Sequence, residues 1–337
     1  MNKIKFAVIG CGKVAPTYLY VLQHNQNSEV VALIDSDETR LQQIRKEFRV
    51  GSTYRCYLNA LSKESLDAVV ICTPHYLHHD QAVVCAENGL DILCEKPLAT
   101  NMQDLEEMIE KCKEIRFGVM LQRRFYPNSI TTKKIIEEGL IGEVTKASLA
   151  FSCHKDSTFY QDWRGRAISG GGVLISQALH RIDQLTYFFG KPTSVKGITR
   201  KTRDYIEVED YARGTVFFED NVVVNIEANN SSGDPETRST IGITGTKGNI
   251  LLSDDKVVKW NVPDLERPGD LDINEIPTKY RPAYYGPAHE IVINDFVDSI
   301  IQDRQPTFRG EDSLNAMKII FGFYESARKG GVVVDLR

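Results

Sequence analysis

The sequence predicts an α/β domain built on a doubly wound parallel sheet, followed by an α+β domain with an open, mainly antiparallel sheet and helices on one face. Three observations carry that expectation. Short apolar runs alternate with helical patterns through the first ~120 residues, as parallel sheets with crossover helices require. A glycine turn, Gly10-Cys11-Gly12, follows the first of those runs directly. Beyond residue ~143 the texture changes to period-two alternation. Ala147, Leu149, Phe151 and Cys153 alternate with Lys146, Ser148, Ala150 and Ser152, the pattern of a half-buried strand. A chain of 337 residues is long enough for two cores, and the boundary is set at 1–121 and 122–337.

In the first domain, strands are expected at 4–9, 30–34, 68–72, 92–94 and 117–121. Leu41, Ile44 and Phe48 mark one intervening helix face, and Leu105, Met108, Ile109 and Cys112 mark another, with Thr100 or Asn101 as N-cap. In the second domain, strand-like runs recur at 193–201, 208–219, 221–229, 238–245, 249–252 and 256–260. Turn sequences such as Glu219-Asp220-Asn221 separate them. A helix opened by the glycines at 170–172 interrupts the strands, and two more are expected at 288–302 and 312–328. Residues 261–286, rich in proline, read as a long functional or mobile loop.

The net charge of −5, with 26% charged residues and no long basic run, argues against nucleic acid or an anionic membrane as partner. The seven cysteines include no C-x-x-C pair, and several lie in apolar runs where cysteine serves as a small core residue. No apolar run reaches the length of a membrane span. A cytoplasmic protein is expected.

Gly10, Gly12, Lys13, Val14 and Ala15 form a G-x-G-x-x-A turn between a strand and a helix. The first glycine permits the tight turn, the second lets backbone approach a pyrophosphate, and the helix start offers N–H groups to phosphates. Asp35 ends the second strand, where a carboxylate would accept hydrogen bonds from a ribose. That favours NAD, while Ser36 and Arg40 keep NADP open. The alternative is a strand–turn–helix with no ligand.

Two further groups stand at strand ends or on a helix. Thr73-Pro74-His75-Tyr76-Leu77-His78-His79 follows one strand and Glu95-Lys96-Pro97 another, at the carboxyl ends where open α/β sheets bind ligands. The histidines invite a zinc reading, but the nearby cysteines fall inside strands and no metal site is expected. After Gly171-Gly172, the residues Ile175, Leu179 and Ile182 form an apolar helix face, with Ser176, His180 and Asp183 on another.

The glycine turn, Glu95-Lys96-Pro97 and the Gly171-Gly172…His180-x-x-Asp183 pattern together resemble the Gfo/Idh/MocA family of nicotinamide-dependent oxidoreductases. The resemblance covers essentially the whole chain. It implies that Lys96 polarises and positions the reacting hydroxyl and that His180 is the acid/base, a role suited to a group titrating near neutral pH. It also implies that Thr73, His75 and His78 lie on the cofactor side, and that Glu95 contacts the cofactor side or orients the turn. The family's first motif Asp is Ser176 here and its central Gly is Ala178, which counts against transfer of roles from the inositol dehydrogenases. A narrower resemblance, through Tyr160-Gln161-Asp162-Trp163-Arg164-Gly165 and Gln177, is to the branch acting at C3 of UDP-linked N-acetylglucosaminuronate.

In that reading Ser176 and Gln177 hydrogen-bond the sugar, Tyr160 and Trp163 stack on a sugar or base, and Arg164 with Arg123 or Arg124 meets a carboxylate or diphosphate. The competing reading is a buried aromatic and surface arginines. Tyr284-Tyr285-Gly286 and His289 are further candidates for the pocket wall. The alternatives left open are an inositol or free-sugar dehydrogenase, a 3-ketosugar reductase using NADPH, and a non-catalytic dinucleotide-sensing regulator. A homodimer or homotetramer through the second sheet is expected.

Overall fold

The structure, a computed structural model, describes residues 3–234, 236–269, 276–280 and 288–337. By contacts the chain divides into two compact units, residues 1–122 with 272–312 and residues 123–271 with 313–337.

The first unit holds a six-stranded parallel sheet in the order β3-β2-β1-β4-β5-β6. Its strands are β1 (Ile4–Ile9), β2 (Ser28–Ile34), β3 (Ser52–Tyr54), β4 (Ala68–Ile71), β5 (Asp91–Cys94) and β6 (Phe117–Val119). Helices α1 (Ala15–His24), α2 (Glu38–Phe48), α3 (Tyr57–Lys63), α4 (His78–Glu87) and α5 (Met102–Lys111) alternate with them. Continuous burial of Val69, Val70, Ile71, Ile92 and Leu93 is what a sheet covered on both faces demands. Asn101 is the N-cap of α5, accepting from Asp104 N at 2.9 Å. The short edge strand β3 was not expected, because three half-buried residues make no apolar run.

Residues 276–280 and 288–312 pack with this first unit, whereas the sequence assigned them to the second domain. The reason is apolar. Their helix, Ala288–Ile301, buries Val292, Ile293, Phe296 and Val297, and Phe296 meets Phe6 of β1 at a ring separation of 6.3 Å. Each such side chain stabilises the unit by roughly 1.5–3 kcal/mol. Arg116 adds hydrogen bonds to the carbonyl of Arg304 and the carboxylate of Asp303.

The second unit is built on an eight-stranded mixed sheet, β13-β12-β11-β7-β10-β9-β8-β14. Its strands are β7 (Val144–Ser152), β8 (Pro192–Arg200), β9 (Tyr211–Phe218), β10 (Val223–Asn229), β11 (Arg238–Gly245), β12 (Asn249–Ser253), β13 (Lys256–Asn261) and β14 (Val334–Asp335). All pairings are antiparallel except β7 with β10. The helices of this unit are α6 (Pro127–Glu137), α7 (Ser157–Tyr160), α8 (Leu179–Phe189) and, after the returning helix α9 (Ala288–Ile301), α10 (Leu314–Arg328). Along β10, Val224, Ile226 and Ala228 are buried while Val223, Asn225 and Glu227 are exposed. Period two therefore leaves one face of the sheet open.

No helix among the described residues is long and apolar enough to cross a membrane.

Candidate active site

In the first unit, the turn after β1 is dictated by crowding. Gly10 sits at φ 96°, and a Cβ there would lie 2.8–2.9 Å from the backbone of Cys72 and Thr73. Only glycine tolerates both. At Gly12 the corresponding space is open, which is the room a pyrophosphate needs. Val14 caps α1 with no side-chain hydrogen bond, so the helix start is not closed by the protein's own side chains. Lys13 is exposed and Val14 half-buried beside it.

Asp35 accepts from Cys11 N at 2.8 Å through one oxygen and from Asp37 N at 2.9 Å through the other. Its carboxylate thus braces the glycine turn and keeps lone pairs for a ribose. Arg40 stands 3.7 Å from it, and Ser36 is exposed. These features fit a dinucleotide. Gly10, Gly12, Lys13 and Val14 would hold its phosphates, and Asp35 its ribose.

Lys96 is half-buried in the turn after β5, joined to Pro97 by a cis peptide bond. Glu95 beside it is buried, accepting from Tyr18 Oη at 2.8 Å and from Lys96 N at 3.2 Å. It ties this turn to α1. Thr73 donates its hydroxyl to Gln81 Oε1 at 2.6 Å, and His75 is half-buried.

His78 departs from the expected cofactor contact. It is fully buried, with Nδ1 2.7 Å from Pro97 O and Nε2 2.7 Å from Thr73 O. Burial lowers its pKa, and the two carbonyls oppose that shift. The imidazole therefore joins the loop after β4 to the Lys96-Pro97 turn instead of facing a ligand. Among the described residues, no group of three or more His, Cys, Asp or Glu side chains gathers as metal ligands would.

In the second unit, the helix expected after the glycines is α-helical only from Leu179. Val173–Ala178 forms a π-helical turn, a form often found at functional sites. Ser176 Oγ lies 2.7 Å from Gly172 O and 3.1 Å from Gly171 O, and back-bonding of this kind distorts a regular helix. The hydroxyl proton is thereby used locally, and the same oxygen accepts from Gln177 Nε2 at 3.3 Å. Gln177 and His180 are half-buried. Ile175, Leu179 and Ile182 are buried on the expected apolar face.

Two ionic clusters fix α8. Arg124 grips Asp183 with two bonds, Nε to Oδ2 at 3.0 Å and Nη2 to Oδ1 at 2.7 Å, where the side chains are 7% and 1% exposed. Arg181 bonds Gln184 Oε1 at 2.7 Å and Asp255 Oδ1 at 3.0 Å, and Arg123 also pairs with Asp255. Arg124 is thus a structural partner of the helix, not a solvent-facing anion hook.

Tyr160 is also structural. It is buried among Ile206, Val208 and Phe159, and its hydroxyl accepts from Asn230 Nδ2 at 3.0 Å; burial pushes its pKa up to about 12. Trp163 and Arg164 are half-buried. The guanidinium lies 4.4 Å over the Trp163 ring and 5.3 Å over Phe159, and pairs with Asp162. His289 is buried in α9, and Tyr284-Tyr285-Gly286 lie outside the described residues.

Sequence reasoning missed Glu209. Its Oε1 accepts from Leu174 N and from Tyr324 Oη, each at 3.0 Å, at the start of the helix that carries His180. Burial pushes its pKa up to about 7, although these hydrogen bonds pull the other way.

Comparison with known proteins agrees with this architecture. Residues 4–122 match the oxidoreductase family, NAD-binding Rossmann fold, and residues 130–251 match the GFO/IDH/MocA C-terminal domain. D-apiose dehydrogenase of Paraburkholderia graminis is 23% identical over 99% of this chain and 90% of its own. Myo-inositol 2-dehydrogenase of Thermotoga maritima is 23% identical over 95% and 94%. The WlbA dehydrogenase from Bordetella pertussis, solved in complex with NADH and UDP-GlcNAcA, superposes with a TM-score of 0.89 at 25% identity, covering 100% of this chain and 98% of that one.

Proposed function

This chain belongs to the GFO/IDH/MocA oxidoreductase family, and from that premise we propose that it oxidises a ring hydroxyl, at C3 of a nucleotide-linked sugar, with NAD. The observation that carries this reading is the full-length likeness to a dehydrogenase solved with NADH and UDP-GlcNAcA. The Trp163-Arg164-Gly165 element and the Gln177…His180 spacing support it.

NAD, when bound, would supply the hydride acceptor for the reacting carbon. His180 takes the hydroxyl proton onto a ring nitrogen as the carbonyl forms. The Lys96 ammonium polarises the hydroxyl oxygen and fixes its direction. Gln177 offers its amide to the sugar, oriented by its bond to Ser176 Oγ, and Ser176 is the second proposed sugar contact. The stacked Trp163 and Arg164 are the residues proposed to meet the base or the charged group of the substrate. A second copy of the chain is proposed to cover the open face of the second unit's sheet.

A second reading, oxidation of a free sugar or polyol, draws on the full-length relatives that act on apiose and myo-inositol. The experiment is NADH formation by purified protein with UDP-sugars, their uronates, free sugars and inositols, using NAD and NADP in parallel. Turnover confined to UDP-sugars supports the first reading. Turnover confined to free polyols replaces it with the second. With a reactive substrate in hand, Lys96→Ala or His180→Ala turning over as fast as the parent would overturn the assigned roles.

A further inference from the structure

The helix that carries Ser176, Gln177 and His180 begins at Gly172, a residue with no side chain to cap it. Its first N–H groups are met from elsewhere in the unit. Val173 N donates to the backbone carbonyl of Glu209 at 3.0 Å, and Leu174 N donates to Glu209 Oε1 at 3.0 Å. Tyr324 of α10 donates its hydroxyl to that same oxygen. A Cβ placed on Gly172 would lie 1.9 Å from Glu209 Oε2. The glycine is therefore the gap into which this carboxylate fits.

We propose that Glu209 is a positioning residue for the reaction: held by Leu174 N–H and Tyr324 O–H, its carboxylate fixes the first turn of this helix and through it the placement of His180. The proposal rests on the reading of His180 as the acid/base. A carboxylate at a helix start is favoured by the aligned peptide dipoles. As the acid it keeps one acceptor oxygen, but the charge-assisted bonds weaken.

The groups facing Glu209 are few. The π turn brings backbone N–H groups, and α10 brings Tyr324, whose own pKa stands well above the tyrosine range. Along the chain, Asp210 raises the pKa of Glu209 and is itself held by Thr202 and Arg203. The ionisation near pH 7 thus divides a firmly held helix start from a looser one.

The test compares kcat of the parent with that of Glu209→Gln across pH, using saturating NAD and whichever substrate the assay above finds reactive. Glutamine copies the protonated acid, so the ratio should be near one below about pH 6 and rise to about tenfold by about pH 8. That is less than the hundredfold that an ångström of misplacement costs. Tyr324→Phe removes a donor to the carboxylate, so the rise should move to higher pH.

A ratio constant across pH, or an unmoved midpoint in Tyr324→Phe, overturns the proposal. An independent readout is the His180 ring resonance, assigned by its loss in His180→Ala. It should show a second inflection near pH 7 in the parent and none in Glu209→Gln. That inflection in a protein without dehydrogenase activity would sink the functional reading but retain the coupling. Its absence in an active enzyme would sink the coupling alone.

Discussion

Two helix starts among the described residues are marked by glycines in the sequence, and they are finished in opposite ways. At α1, in the first unit, no side chain caps the helix and the space beside Gly12 is open. At the π turn, in the second unit, the start is closed by Glu209 and Tyr324, and the space at Gly172 is filled. A helix start always leaves N–H groups to be satisfied. Left open, it is a place for a ligand's phosphates. Closed by protein groups, it becomes a rigid mount for side chains further along.

The rear of that mount gives the largest expected effect. Arg124→Met removes two charge-assisted bonds from the buried Asp183 carboxylate, which should cost about 3–5 kcal/mol. Urea denaturation measures it. Replacing both partners, as Arg124→Met with Asp183→Leu, should recover much of the loss because the buried charge is gone. A double variant as unstable as the single one would mean the pair does more than neutralise itself.

The open start gives the next. Gly10→Ala forces a left-handed φ on alanine and drives its Cβ into the Cys72–Thr73 backbone, for about 2–4 kcal/mol. Because the same backbone forms the turn, NAD affinity measured by calorimetry should fall with it. Gly172→Ala, by contrast, should leave NAD affinity near the parent value while kcat drops. Equal losses of affinity in both variants would erase the contrast between the two starts.

His78 ranks third. His78→Ala removes the imidazole that links Thr73 O and Pro97 O and leaves the carbonyl it donates to unpaired in a buried site, at about 2–3 kcal/mol. Since these carbonyls flank the loop after β4 and the Lys96 turn, kcat should suffer more than the KM for NAD. A loss confined to stability would leave His78 without any influence on Lys96.

How far the molecule could be read from its sequence follows the same division. The glycine turn, Asp35 and the buried strands are made of neighbours in the chain, so periodicity and motif spacing reveal them. What stayed hidden is made at long range. Arg124 finds Asp183 from 59 residues away, Glu209 reaches Leu174 from 35, and Tyr324 reaches Glu209 from 115. Tyr160 and Trp163 were read alike as stacking platforms, yet one is buried in a small apolar cluster and the other half-open. Aromatic composition does not distinguish the two. The π turn was invisible for a related reason: its cause is a serine hydroxyl turned back on Gly172 and a cap supplied from outside the helix.

The smallest effect has the opposite sign and bears most directly on the closed start. Glu209 has a pKa of about 7 in the folded protein against an ordinary 4.5. A raised carboxylate pKa means that the folded state prefers the acid. Its contribution to stability is therefore fully present below pH ~4.5 and declines as pH rises through 7. Glu209→Gln should remove that decline, raising stability at pH 8 relative to the parent by about 1–2 kcal/mol after allowance for partial solvent screening. Thermal melts of both proteins at pH 5 and pH 8 read this as a difference that grows with pH. A variant that is more stable and yet slower would separate the two roles of the carboxylate, since glutamine would improve the fold while loosening what the fold holds. A variant with the parent's pH dependence would mean that Glu209 ionises as freely as a surface acid, and the closed start would then owe its rigidity to Tyr324 and the glycines instead.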